Sequence, residues 1–248
     1  MGVARALAFI HEIGAIHGDL RAENIFLQLG LDGVVRAKIA DFDFVSIFPY
    51  SALGARGSSN RQYKDLICCK VDGFFLQSAD CRSLEIIICA LILPKFMSGL
   101  LKSRCLDQVD CVEQKLTSFF WKTANDLLKE YPFHSSSLSI NIDEIPENLR
   151  HITYLRTLIN HPKFDQDDAL KVFFKQYEFA KLFCDHMIES VKSRHSLAQY
   201  IESNKEVLEA LRSENIEMRC AVEKKLKDRY PTAKTIYELL LKARSILE

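Results

Sequence analysis

Net charge is the first thing this sequence lacks: thirty-three Lys and Arg cancel thirty-three Asp and Glu over 248 residues. With no basic or acidic tail, that balance removes the global attraction that would draw the protein to nucleic acid or an anionic membrane surface. Long hydrophobic runs are missing too. The strongest, Ile86 to Leu93, stops at Pro94 and Lys95, far short of the roughly 20 apolar residues a membrane-crossing helix requires. The eight cysteines include no Cys-x-x-Cys pair, and neither Cys68-Cys69 nor Cys105 with Cys111 has the spacing of a zinc site. They read as reduced core thiols of a reducing, intracellular and cytoplasmic, setting. Gly2 fits a myristoylation signal, but Ala6 stands where a Ser or Thr is wanted.

What is present suits a globular chain. At 48% apolar and 27% charged residues, it can bury one substantial core or two modest ones. Val3 to Ile13 carries apolar residues at helical spacing, and Gly14 stands where such a helix stops. Ile25-Phe26-Leu27 and Ala37-Lys38-Ile39-Ala40 read as strands joined by the turn residues Leu31-Asp32-Gly33. Residues 44–79 lack periodicity and collect Gly and Ser, as a mobile surface segment does. From Ser83 to Phe96 the apolar density predicts a helix buried on all sides. Four charged helices with apolar stripes are then expected: Ala169–Ser193, Leu197–Arg212, Ser213–Leu226, and a last one from Pro231 to near Leu247.

The chemistry concentrates in His17-Gly18-Asp19-Leu20-Arg21-Ala22-Glu23-Asn24, followed by Asp41-Phe42-Asp43. An acid and an amide on one loop, with a second acid ending a strand, can converge on a nucleotide's phosphates and its metal. The bland alternative makes Asp19 a cap and Asn24 a turn residue bonding nearby backbone. The segment resembles the catalytic and metal-binding loops of the protein kinase family, His-Arg-Asp-Leu-x-x-x-Asn and Asp-Phe-Gly. Two further landmarks follow in order. Gly73-Phe74-Phe75 leads into Asp80-Cys81-Arg82-Ser83-Leu84-Glu85, which resembles the family's buried helix start Asp-x-x-Ser-Leu-Gly. Arg229-Tyr230-Pro231-Thr232-Ala233 is similar to the Arg-Pro-Thr-Ala that opens its last helix, with one residue inserted.

The resemblance implies roles. Asp19 would orient the acceptor hydroxyl and take its proton, while Asn24 and Asp41 would hold the Mg2+ that screens the phosphates of ATP. Arg21 stands where serine/threonine kinases place a lysine on the transferred phosphate and where some tyrosine kinases have Arg, which leaves the acceptor type open. His17 would pack and bond the loop backbone, and His11 is read as structural as well. Asp80 would accept hydrogen bonds from the catalytic-loop backbone, and Arg229 would be a buried arginine. Asp65 is the nearest acid that could pair with Arg229. Gly18 replaces the arginine that in many kinases meets a phosphorylated activation loop, so switching by that route is not expected. Asp43 replaces a glycine, at a place where Asp tolerates unusual backbone angles better than most residues.

The implied fold is mainly α with a small β-hairpin: a kinase-like large, C-terminal lobe over 1–125, a helical insertion or extension over 126–224, and the lobe's last helix over 225–248. The nine glycines form no Gly-x-Gly-x-x-Gly, and Val-Ala-Ile-Lys does not occur. The glycine-rich loop, the phosphate-pairing lysine and its glutamate belong to a small lobe that the family carries upstream. Since phosphoryl transfer is catalysed by positioning and electrostatics, the chain alone is expected to be inactive or nearly so, a truncated serine/threonine-type protein kinase acting on a protein substrate or meeting a regulatory protein. A pseudokinase scaffold binding partners through its helices is the alternative. His-Gly-Asp also resembles aminoglycoside- and choline-type small-molecule kinases, against which the Asp-x-x-Ser-Leu and Arg-x-Pro-Thr-Ala segments speak.

Overall fold

The computed structural model describes residues 1–43, 45–47, 77–92, 108, 110–115, 118, 119, 122, 168–213 and 215–247. The expected features at Asp65, at Gly73-Phe74-Phe75, and at 93–96 lie outside these residues.

Helix α1 (Gly2–Glu12) buries Ala4, Leu7 and His11, a stripe at helical spacing, and leaves Phe9 exposed. It stops as its sequence dictates. Gly14 takes φ 81, a left-handed conformation that costs a glycine nothing, and its N–H bonds His11 O at 3.1 Å. A two-residue strand β1 (Ala15–Ile16) follows, and then a 3-10 turn, Ala22–Asn24, opens the hairpin of β2 (Ile25–Leu29) and β3 (Val35–Ile39). The strands are antiparallel with Ile25 opposite Ile39 and Leu29 opposite Val35. Their loop is Leu31-Asp32-Gly33: Gly33 N donates to Gly30 O at 3.0 Å and Gly33 adopts φ 74, while Asp32 Oδ1 accepts from Val34 N at 3.1 Å. Strand β4 (Ser46–Ile47) pairs with β1, inside a stretch where no regular structure was expected.

Helix α2 (Gln77–Ile92) is buried continuously from Ser78 to Cys89 and surfaces only at Ala90 and Leu91. One core gathers Leu84, Ile87 and Ile88 from it with Leu7 of α1, Leu20, Val112, and Phe183 and Met187 of α3 (Asp168–Ser203). Ile236 and Leu240 of the last helix complete it, so the middle of α3 shares its core with α1 and the last helix.

Helix α3 corrects the expected break between Ser193 and Leu197. It runs unbroken because the buried stripe does: Phe183, Met187, Ser190, Val191, Arg194, Leu197, Ala198 and Ile201 recur every three to four residues. The gap between the two expected helices contains Arg194, which is buried in the core. The true break is Asn204 (φ −112), whose Oδ1 caps α4 (Lys205–Arg212) by accepting from Val207 N at 3.3 Å. Asn215 Oδ1 caps α5 (Ile216–Leu226) in the same way, accepting from Glu217 N at 3.0 Å and Met218 N at 3.2 Å. A second cluster, with Leu197, Ile201, Leu211, Leu226 and Tyr230, joins these helices. After a 3-10 turn (Lys227–Arg229), α6 (Ala233–Leu247) begins behind Pro231, with Thr232 Oγ1 accepting from Thr235 N at 3.2 Å.

Arg229 is not the buried arginine expected. The 3-10 turn sends Tyr230 inward and leaves Arg229 exposed, its guanidinium 4.0 Å from the Tyr200 ring centroid. Cys81, Cys89, Cys111 and Cys184 are thiols, the first two and the last of them buried. Burial pushes the Cys184 thiol up to about 12. Among the described residues no helix is long and apolar enough to cross a membrane.

Candidate active site

The site is built on Asp80, in the first turn of α2, where a helix N-terminus favours negative charge. A buried carboxylate must be bonded to be tolerated, and this one receives three donors. Asp80 Oδ2 accepts from His17 N at 2.7 Å and pairs with His11 Nε2 at 3.0 Å, while Oδ1 accepts from Gly18 N at 3.0 Å. The bonds to His17 and Gly18 are those expected of the residue at this position. Gln77 adds a bond from Nε2 to His11 O at 2.8 Å. The start of α2 thus grips both the end of α1 and the loop that follows.

Gly18 explains itself in this grip. Its φ of 81 lets its N–H turn into Asp80, and any side chain, arginine included, would be strained there. His17 is fully buried and works as a crosspiece: Nδ1 accepts from Asp19 N at 3.3 Å, and Nε2 lies 3.0 Å from Ala40 O. Because the Asp19 amide can only donate, Nδ1 is the acceptor and Nε2 carries the proton given to Ala40. The Phe42 ring packs edge-on at 5.1 Å between centroids.

Ala40 N in turn donates to Asn24 O at 2.9 Å. The hairpin between Asn24 and Ala40 therefore returns the chain to the loop it left, and places Asp41 one residue beyond that junction. Asn24 is buried, with Nδ2 donating to Asp19 O at 2.9 Å and to Asp19 Oδ2 at 3.3 Å. The first of these is the local backbone bond of the bland reading; the second ties amide and carboxylate together. The amide nitrogen is thereby spent, and Oδ1 remains as Asn24's acceptor.

Asp19 is 7% exposed, and its Oδ1 is buried with no hydrogen-bond partner among the described residues. Arg21 Nε stands 3.6 Å from Asp19 Oδ2, near enough for charge attraction but too long for a hydrogen bond. Asp41 is exposed and takes φ 62, alone among described non-glycine residues in being left-handed. The left-handed residue is thus Asp41, two residues beyond β3, and not Asp43, which stands where the resemblance places a glycine. Among the described residues no group of three or more His, Cys, Asp or Glu could hold a metal by itself. Of the expected residues, the structure brings together His17, Asp19, Arg21, Asn24 and Asp80, with Asp41 next to Ala40, and leaves Arg229 on the surface of the second cluster.

One buried constellation was not foreseen. Glu85 is fully buried where the resemblance places a glycine; it accepts from Ser190 Oγ at 2.7 Å and from Arg194 Nη1 at 2.8 Å, with His186 Nε2 at 3.2 Å. Burial pushes its carboxyl up, but Arg194 first, then His186 and Arg82, bring it down to about 2. An acid inside an apolar run signals that a basic partner exists. Its address, 109 residues away, is not written locally.

Comparison with known protein families, with curated proteins and with solved structures finds no match to this chain.

Proposed function

We propose that the cluster around Asp19 is the phosphoryl-transfer site of a protein kinase-like enzyme, moving the γ-phosphate of ATP to a protein hydroxyl, serine or threonine favoured. The observation that carries this reading is the orphan oxygen. A buried acceptor with no partner costs about 1 to 3 kcal/mol, and Asp19 Oδ1 is one. A substrate hydroxyl donating to it would offset that cost and hand its proton to Asp19 as the oxygen attacks. Asn24 fixes the carboxylate by bonding Oδ2, which leaves Oδ1 as the reacting oxygen. Arg21 adds positive charge beside it. Asp80 holds His17 and Gly18, and with them the loop, against thermal wandering.

A hard cation wants oxygen ligands, and the carboxylate of Asp41 with Asn24 Oδ1 would hold Mg2+, phosphate and water supplying the rest. The ion's chemistry there is neutralisation of phosphate charge. In this reading the glycine-rich loop and phosphate-pairing lysine would have to be supplied by a small lobe, and the protein works inside the cell, where its buried thiols stay reduced.

Calorimetric titration of the chain with ATP, with and without Mg2+, tests the proposal. Magnesium-dependent binding should be lost in Asp41→Asn and kept in Asp43→Asn. ATP binding indifferent to both Mg2+ and Asp41, or its absence altogether, overturns it. Once a small lobe is supplied, Asp19→Asn should abolish transfer to a protein acceptor while leaving ATP binding in place.

A further inference from the structure

Three arginines are more than nine-tenths buried among the described residues: Arg82 at 1% exposed, Arg194 at 2% and Arg219 at 4%. A buried guanidinium needs partners, because the water it gives up must be replaced by an anion or by acceptors. The first two gather at Glu85, which Arg194 bonds at 2.8 Å and Arg82 reaches by its charge. Arg219 differs. Its Nε is closed to water without a hydrogen-bond partner, and its side chain forms no ion pair among the described residues. The acids nearest in sequence do not turn inward to it: Glu206 and Glu209 of α4 and Glu217 of α5 are exposed. Asn215 Oδ1 is engaged by the amides of Glu217 and Met218.

The position of Arg219 in α5 sharpens the need. It is the fourth residue of that helix and shares a face with Val222 and Leu226, three and seven positions on, which pack into the second cluster with Leu197, Ile201 and Leu211. Its methylene stem suits that apolar wall; its charge does not. Helical side chains lean toward the N-terminus, so the fork runs back over the first turn, where the aligned peptide dipoles already leave positive charge. Burial and the helix both oppose a cation there. One anion would relieve both.

We infer that Arg219 and the first turn of α5 form an oxyanion site, taking a phosphate or a carboxylate between Nε and a terminal nitrogen of the guanidinium. The fork sets the class of ligand, because its parallel N–H groups match two oxygens on one centre, which a halide does not offer. The narrow opening suits a small free ion and not a folded partner.

The Nε–H resonance of Arg219 in the isotope-labelled whole chain reads the site directly, assigned by its loss in Arg219→Lys. Sodium phosphate, added at ionic strength matched with sodium chloride, should move it saturably; a parallel titration with sodium acetate shows whether a carboxylate serves as well, and chloride should not move it. Melting gives a second readout. Phosphate should raise the Tm of the wild type beyond chloride. Arg219→Met should lose that increment, yet melt no lower than the wild type in chloride, since it removes a buried charge that lacks a partner. Glu223 stands four positions on in the sequence, a spacing at which opposite charges on a helix can meet, and Glu223→Gln should leave the titration unchanged. A resonance indifferent to both oxyanions overturns the inference. Equal phosphate gains in wild type and Arg219→Met, the general salting effect of that ion, overturn it too. So does an Arg219→Met chain that melts well below the wild type in chloride, which would show the arginine paired inside the protein.

Discussion

Arg194 Nη1 donates to Glu85 Oε2 across 2.8 Å, joining α2 to α3 by an ion pair that water does not reach. Removing one partner of a buried pair strands the other, at about 3 to 5 kcal/mol, whereas replacing both by apolar residues is often near neutral. Arg194→Met should therefore destabilise strongly in urea unfolding, and Glu85→Leu with Arg194→Met should recover most of the loss. A single-variant cost under about 1 kcal/mol, the scale of an exposed pair, would mean that the pair is solvated.

Acid should expose the same pair from another side. The folded Glu85 carboxyl lies at about 2 against an ordinary 4.5, so its stabilisation is complete above the higher value and is lost as pH falls toward the lower. That shift corresponds to about 3 kcal/mol. Unfolding free energy measured from neutral pH downward should fall through this window, and Glu85→Gln should lack that part of the slope.

Loosening the loop that carries Asp19, without touching Asp19 itself, is possible through its anchor. Asp80→Asn retains one acceptor oxygen where the carboxylate serves the His17 and Gly18 amides and the His11 ring, so at least one buried donor is orphaned, at about 1 to 3 kcal/mol. Hydrogen exchange at the His17 and Gly18 amides should accelerate in this variant more than exchange in α6. Equal acceleration everywhere would assign Asp80 to global stability alone.

Ile87 is 7% exposed in the main core and Leu91, one turn on, is 78% exposed. Ile87→Ala should cost about 2 to 5 kcal/mol, and Leu91→Ala no more than about 0.5 kcal/mol. Comparable losses at both sites in thermal melts would show α2 buried along its whole length, contrary to its solvent-facing end.

Much of this was legible in the chain because it is local. The stop at Gly14, the turn at Leu31-Asp32-Gly33 and the apolar run after Ser83 each declare themselves within a few residues. Asp80 was legible for a different reason: the motif order predicted its bond to the loop backbone 62 and 63 positions away. What failed was whatever depended on partners distant in sequence and outside any motif. Arg194, His195 and Ser196 fell between two expected helices, since nothing nearby says that Arg194 serves Glu85. Arg229 read as buried because the motif's arginine is, but the inserted Tyr230 takes the inward position instead. A left-handed residue at Asp41 was not foreseen; the tolerance of Asp for such angles was noted only for Asp43, where a glycine is missing.

That left-handed residue sets a constraint on evolution at the mouth of the hairpin. An exposed, left-handed position is where glycine costs least, and replacing a non-glycine residue there by glycine commonly raises stability by about 1 kcal/mol. The Asp41 side chain has no hydrogen bond or ion pair among the described residues that would repay the fold for carrying it. If the Asp41 carboxylate holds a cation as proposed, stability and chemistry pull this one codon in opposite directions. Asp41→Gly should melt higher than the wild type, and a lineage that had ceased to use the carboxylate would have nothing to hold it against that drift.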